Sequence, residues 1–279
     1  MSEPAALDAD LLRAFPLPSL SEEGDKEDRG RALVIAGSPE VPGAAILAGV
    51  AALRAGAGKL QIVTDAAVAA AIGVAVPEAR VMSGSPLDYV ADAQSVTFGC
   101  GMDHGPALDR LLAGLLDCGA EVPLALDAAV LGCLAKVEAK VRAWPGGITL
   151  LPHPGEMARL LECDAEGVEI DPLGAVRRAA ERYRAVALVK GRYSFIAAPD
   201  GRAFRFEGGG IGLATSGSGD VLAGLVGGLA ARGADPLTAT LWGVWLHGEA
   251  GRILTQRVGR VGFLAREIAD LVPGLLSKA

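Results

Sequence analysis

Gly212-Leu-Ala-Thr-Ser-Gly-Ser-Gly-Asp220 runs directly into Val221-Leu-Ala-Gly-Leu-Val-Gly-Gly-Leu-Ala-Ala231. A loop of glycine and hydroxyl residues empties into an apolar helix, and an aspartate stands at the junction. The first turn of a helix has backbone N–H groups without intrahelical partners, and the macrodipole adds partial positive charge there. Glycines let those N–H groups approach an anion closely. Such a turn stabilises a phosphate, and a carboxylate beside it can take a proton from whatever attacks that phosphate. Ser218 and Asp220 are also favoured helix caps. The segment alone therefore supports a capping role or an anion site.

Working outward, short apolar runs alternate with helical ones. Strands are expected at Arg31–Ala36, Leu60–Val63, Ser95–Phe98, Pro123–Leu126, Ile148–Leu151 and Ala185–Val189. Helices are expected at Ala44–Ala55, Ala66–Val74, Gly105–Cys118, Met157–Leu161, Pro172–Tyr183, Val221–Ala231 and Pro236–Leu254. This alternation predicts an α/β fold with a mostly parallel sheet covered on both faces. Phe195–Ala198 and Ala203–Phe206, flanking Pro199-Asp-Gly201, read as a β-hairpin. Residues 1–30, acidic at Ser21–Arg29, read as a weakly ordered lead-in with a short helix at Ala6–Ala14; residues 31–279 read as one domain. Gly37-Ser38, Gly99–Gly101, Asp127, His153 and Lys190 all follow strands. In open parallel sheets, ligands bind at that edge.

Composition narrows the class. Hydrophobic residues make up 51% and charged residues 21% of 279, enough to bury a large core. No apolar run reaches the roughly 18 residues of a membrane span, and the acidic start lacks the basic and apolar regions of a signal peptide. Four scattered cysteines without a Cys-x-x-Cys pair suit reduced thiols in a cytoplasmic protein better than zinc or a disulfide scaffold. A net charge of −7 argues against nucleic acid, which needs a basic face. Nucleotides remain open, because helix termini, a few lysines and Mg²⁺ hold phosphates locally.

In Pro152-His-Pro-Gly-Glu156, two prolines stiffen the backbone around His153 and aim its imidazole. Pro154 suits the first helical position and Glu156 the first turn. Lys190-Gly-Arg-Tyr-Ser194 follows a strand and can offer N–H groups and a hydroxyl to a nucleotide. His247 falls at apolar helical spacing with Leu241, Val244 and Trp245 and reads as a core or interface residue. No metal ligand set stands out.

With these pieces in place, the chain from about Ala32 to Leu254 resembles the ADP/ATP-dependent NAD(P)H-hydrate dehydratase family of the ribokinase-like superfamily. The segments that carry the resemblance are Val41-Pro-Gly-Ala-Ala45, Gly99-Cys-Gly101, Ala125-Leu-Asp-Ala128, Leu151–Leu160, Val189-Lys-Gly191, Gly212–Gly224 and Leu246-His-Gly-Glu-Ala-Gly251. Pro152–Glu156 together with the Gly-Ser-Gly-Asp loop is the specific combination; Gly-x-Gly-Asp alone would indicate only the superfamily.

The resemblance implies a ribokinase-like three-layer sandwich that repairs (6S)-NADHX and NADPHX. ADP or ATP, with Mg²⁺, would phosphorylate the hydrate hydroxyl, and loss of phosphate would restore NADH or NADPH. Asp220 would be the base, and the N–H groups of Gly217, Ser218 and Gly219 the anion hole. Lys190, Gly191, Arg192, Tyr193, Ser194 and Gly219 would meet the nucleotide. Ala44, Gly99, Gly101, His153 and Asp220 would meet the hydrate. A homo-oligomer (dimer or tetramer) and functional pairing with a separate epimerase are also implied.

Three positions depart from the family pattern: Ala129 for an acid, Gly210 for Asn, and Ser218 for Thr. A vitamin or small-alcohol kinase of the same superfamily would share the Gly-Ser-Gly-Asp loop, but Pro152–Glu156 is associated with the dehydratases. A non-catalytic nucleotide sensor would not need Asp220.

Overall fold

The computed structural model describes residues 3–19 and 25–278. In chain order the elements are β1 (Ala5–Ala6), α1 (Ala9–Leu12), β2 (Arg31–Ile35), α2 (Gly43–Arg54), β3 (Lys59–Val63), α3 (Ala66–Ala75), β4 (Ala79–Met82) and α4 (Leu87–Val90). They continue with β5 (Ser95–Phe98), α5 (Pro106–Asp117), β6 (Leu124–Leu126), α6 (Glu138–Ala143), β7 (Ile148–Leu150), α7 (Pro154–Leu161), α8 (Ala165–Ile170) and α9 (Pro172–Tyr183). The last are β8 (Val186–Val189), β9 (Tyr193–Ala197), β10 (Ala203–Glu207), α10 (Ser218–Ala231), α11 (Pro236–Arg257) and α12 (Ala265–Leu276). Ala128–Val137 and Ile211–Leu213 are 3-10 helices.

The strands form one sheet in the order β1-β10-β9-β8-β7-β6-β5-β2-β3-β4. From β4 through β8 all pairings are parallel, and β9 and β10 complete the far side as the expected antiparallel hairpin. Alternation along each strand sends side chains to two cores. Ala32, Val34, Leu60 and Ile62 pack with α2, α10, α11 and α12. Leu33, Ile35, Val96, Phe98 and Leu126 pack with α5, α7 and α9. The result is a three-layer α/β sandwich.

α10 packs on α2 without the spacing that side chains impose. A Cβ at Gly224 would collide with the carbonyl oxygen of Ala48, and one at Gly228 with that of Ala52. This close approach seats the N-terminus of α10 at the middle of the sheet edge.

At the amino end, Ala5–Ala6 pairs in parallel with Phe204–Arg205, so the helix expected over Ala6–Ala14 shrinks to the turn Ala9–Leu12. The Trp242 indole donates to the Phe15 carbonyl at 2.7 Å, and Phe15 meets Phe204 edge to face at 5.6 Å. Part of the acidic stretch Ser21–Arg29 lies outside the described residues.

Several elements were not expected. β4 is an edge strand with only Met82 buried, so it lacks the apolar run of its neighbours. α12 buries Ala265, Ile268, Ala269, Val272 and Leu275, a helical period interrupted to the eye by Pro273.

Candidate active site

The strand order reverses between β2 and β5, where the chain leaves one strand to each side. Such a switch point opens a crevice at the carboxyl ends of the strands. There the Gly37 N–H donates to the Cys100 carbonyl at 2.8 Å, and the Gly99 N–H to the Ile35 carbonyl at 3.2 Å. The ladder steps onward through Asp127 N–H to Phe98 O, Leu151 N–H to Leu126 O, and Lys190 N–H to Pro152 O, at 3.0–3.1 Å. Consecutive strand ends are thereby locked in register, which brings Cys100, Asp127, His153 and Lys190 to one edge.

Lys190 Nζ donates to Asp127 Oδ1 at 2.8 Å, and the Asp127 side chain is 4% exposed. Burial works against the Lys190 ammonium, but the charge and hydrogen bond of Asp127, with Glu156 nearby, hold it above the ordinary lysine value. Facing this pair is Asp220 in the first turn of α10. Atoms of Cys100, Asp127 and Asp220 that could ligate a metal all lie within 4.8 Å of one another.

Two close carboxylates in a dry site cannot both ionise easily. Burial, then the charge of Asp127, pushes Asp220 up to about 6, while the Cys100 thiol and Lys190 pull the other way. Burial and the two carboxylates hold the Cys100 thiol well above its usual range. The thiol thus stays protonated, available as a donor to Asp220.

The anion-binding turn forms because Gly217 takes φ +86° as the N-cap, a conformation that glycine adopts without steric penalty. Ser218 follows as the first helical residue and is 5% exposed. His247 Nε2 lies 2.9 Å from Ser218 Oγ and 3.0 Å from Ser218 O. Burial lowers the His247 pKa to about 4, so the imidazole is neutral.

His153 is the N-cap of α7. Its Nδ1 accepts from the Gly155 N–H at 3.0 Å, while Glu156 Oε2 accepts from the His153 N–H at 2.9 Å. This reciprocal cap explains why a His stands between two prolines. An Nδ1 that accepts leaves the proton on Nε2.

A cavity of about 980 Å³ opens beside the α10 turn. His153, Lys190, Gly191, Arg192, Ser194, Ser218 and Gly219 line it, with His247 and the 3-10 turn Ile211–Leu213 along its wall. Tyr193 is not among the lining residues. Strand alternation sends Ser194 to the cavity side and turns Tyr193 away, where its ring lies 5.6 Å from the Arg192 guanidinium and 5.3 Å from that of Arg205.

Ala44, Gly99 and Gly101 are also absent from this lining. They pack across the β2 and β5 ends instead. A Cβ at Gly101 would collide with that of Ala44, and one at Gly99 with the Asp127 carbonyl. The residues assigned to the hydrate therefore split: His153 on the cavity, the other three around the acid cluster with Asp220.

Of the three departures, Ala129 is buried in the second core, so no acid stands beside Asp127 there. Gly210, at φ +74°, begins the Ile211–Leu213 turn and lines the cavity. The helical period predicts His247 as a core or interface residue. The residue is half-buried, and the space it faces is the cavity. The motif Leu246–Gly251 was the signal that could have raised it.

A family model described as NAD(P)H-hydrate dehydratase matches residues 32–274. An ADP-dependent (S)-NAD(P)H-hydrate dehydratase of Xanthomonas campestris pv. campestris is 46% identical, over 97% of this chain and 95% of that protein. The Bacillus subtilis ADP/ATP-dependent NAD(P)H-hydrate dehydratase, co-crystallised with ATP and Mg²⁺, superposes with a TM-score of 0.88 at 30% identity, covering 100% of this chain and 99% of the other. A ribokinase-like superfamily protein of Enterococcus faecalis shares the fold, with a TM-score of 0.86 at 23% identity and coverage of 98% and 95%.

Proposed function

The chain belongs to the NAD(P)H-hydrate dehydratase family, and from that premise we infer that it restores NADH and NADPH from (6S)-NADHX and NADPHX at the expense of ADP or ATP. The observation that carries the chemistry is the half-buried Asp220 carboxylate, pushed up to about 6 beside Asp127, in the first turn of the helix that opens onto the cavity.

In this reading the nucleotide lies along the cavity over Lys190, Gly191, Arg192 and Ser194, with its transferable phosphoryl at the N–H groups of Gly217 and Gly219; the Ser218 N–H already donates to the Thr215 carbonyl at 3.2 Å. The hydrate lies between His153 and the Gly99–Gly101 turn. Asp220 accepts the hydroxyl proton as the oxygen attacks the phosphoryl group, and the N–H groups take up the developing charge. Hydroxide is a poor leaving group and phosphate a better one. The ring nitrogen's electron pair expels phosphate, and loss of a proton from the neighbouring carbon restores the double bond. Asp127, paired with Lys190, keeps that ammonium fixed beside the phosphates. His153, with its proton on Nε2, donates to the hydrate.

Mg²⁺ fits the donor set. Asp127 and Asp220 offer hard oxygen ligands, and the protonated Cys100 thiol is no competitor. Mg²⁺ sites are commonly built from one or two carboxylates plus substrate phosphates. When bound, the ion would neutralise phosphate charge. Residues 31–279 acting as one domain, a homo-oligomeric state, a cytoplasmic location and pairing with a separate epimerase complete the proposal; among the described residues no helix is long and apolar enough to cross a membrane.

The test is incubation with NADHX or NADPHX plus ADP or ATP, following reappearance of the reduced-nicotinamide absorbance. Nucleotide-dependent recovery supports the reading. Nucleotide consumption with a stable phosphorylated alcohol as product would favour a kinase instead.

A further inference from the structure

Ser218 presents its backbone carbonyl and its hydroxyl to one atom, His247 Nε2, at 3.0 and 2.9 Å. A carbonyl oxygen only accepts. A bare Nε2 at that distance would set two lone pairs against each other, so Nε2 carries the proton. The imidazole is neutral, being desolvated and close to the Lys190 ammonium, and has only one N–H to give. It follows that the Ser218 hydroxyl cannot donate to His247. Ser218, Gly219 and Lys190 line the cavity together, at the end of α10 where first-turn N–H groups and the dipole favour an anion.

We propose that His247 is a positioning residue. Its Nε2–H grips Ser218 at two oxygens, fixing the first turn of α10 and leaving the Ser218 O–H as a donor committed to the anionic group in the cavity. This rests on the dehydratase reading only for the identity of that anion as the transferred phosphoryl group.

The arrangement is economical in its geometry. A serine at a helix start ordinarily turns its hydroxyl back toward local backbone groups. Here the imidazole occupies the hydroxyl's acceptor side, so the proton is left to look outward. The hydroxyl then adds to the N–H groups of the turn, and no reorientation is needed when charge develops. A residue that only filled space would leave both orientations of the Ser218 hydroxyl available.

Long-range ¹⁵N–¹H correlation spectra of the His247 ring at neutral pH read the tautomer directly and need no turnover. The expected pattern is Nε2–H; an Nδ1–H pattern overturns the proposal. Removing one donor to a developing oxyanion typically lowers kcat about 10²–10³-fold. Ser218→Ala should therefore fall by about that range, and His247→Leu, which frees the hydroxyl to rotate and releases the Ser218 carbonyl, by about tenfold or more. The Ser218→Ala/His247→Leu double variant should lose clearly less than the product of the two single losses, because His247 acts in part through that hydroxyl. His247→Gln, which keeps a donor near the Nε2 position, should recover most of the loss in kcat.

Multiplicative losses in the double variant, or equal losses for Leu and Gln, would show a packing role and overturn the proposal. Calorimetric titration of the same variants with ADP separates the two claims. If the wild-type protein bound ADP but dehydrated neither hydrate, the functional reading would fail. The tautomer and the coupling between Ser218 and His247 in ADP affinity would still decide the positioning role.

Discussion

Replacing Asp220 by Asn keeps the shape of the side chain and removes its titration. In the folded protein burial pushes this carboxyl up to about 6, from an ordinary 3.8. Below the unfolded value both states carry the proton and the shift contributes nothing. Between the two values the folded state holds a proton that the unfolded state has lost, so wild-type stability falls as pH rises. Above about pH 6 the fall is complete. At about 1.4 kcal/mol per pH unit, the ionised carboxylate destabilises the native state by about 3 kcal/mol at neutral pH.

Asp220→Asn lacks this term. Its stability should match wild type near pH 3.5 and exceed it by about 3 kcal/mol at pH 7. Unfolding entropy of roughly 2.1 cal/mol/K per residue makes that gap about 5 °C in Tm for a chain of this size. General-base catalysis is worth about 10²–10⁴-fold, so hydrate repair should fall by that order in the same variant. Nucleotide affinity should survive, since backbone N–H groups hold the phosphate. The assay is urea unfolding of both proteins across pH 3.5–8, with repair rate and ADP-induced thermal shift measured in parallel. A stability gap independent of pH, or a variant less stable than wild type at pH 7, would refute the account of a partly desolvated base beside a second carboxylate. Near-normal turnover would return Asp220 to a capping role.

Other outcomes follow from the same geometry. The pH profile of kcat/KM should drop tenfold per unit below about 6 as Asp220 takes up its proton; Cys100→Ala removes a donor to that carboxylate and should move the midpoint upward. Gly224→Ala drives a methyl group into the Ala48 carbonyl and should lower stability by about 1–3 kcal/mol, the usual range for overpacking, read as a lower urea midpoint with unchanged slope. Excess chelator should abolish repair and readdition of Mg²⁺ restore it; full activity in chelator would contradict the proposed role of the ion.

The elements legible in the sequence were those whose signals are local. Pro172–Tyr183 was readable to both ends because Asp171 accepts from the Gly174 N–H as its cap, and Pro172 opens the first turn. The α10 turn announced itself through glycines and hydroxyls just before an apolar run. The Asp127–Lys190 pair could not be seen, because it depends on the register of β6, β7 and β8 across 63 residues. The separation of Tyr193 from Ser194 was not legible, because β9 begins at Tyr193, two residues before the apolar run that marks it in the sequence. His247 shows the opposite difficulty: apolar spacing identifies a buried face without saying whether the space it faces is filled.

The pairing of Ala5–Ala6 with Phe204–Arg205 sets an order of events during synthesis. The first strand leaves the ribosome roughly two hundred residues before its partner, a delay of about 10–40 s at ordinary elongation rates of 5–20 residues per second. Through that interval the parallel strands β2 to β8 can assemble, each next to a strand made shortly before or after it. Only when the β9–β10 hairpin has formed does a backbone edge exist for the amino-terminal segment to join. Closing so long a loop comes late, and the indole of Trp242 on the Phe15 carbonyl is then the clasp that fastens the amino-terminal segment to α11.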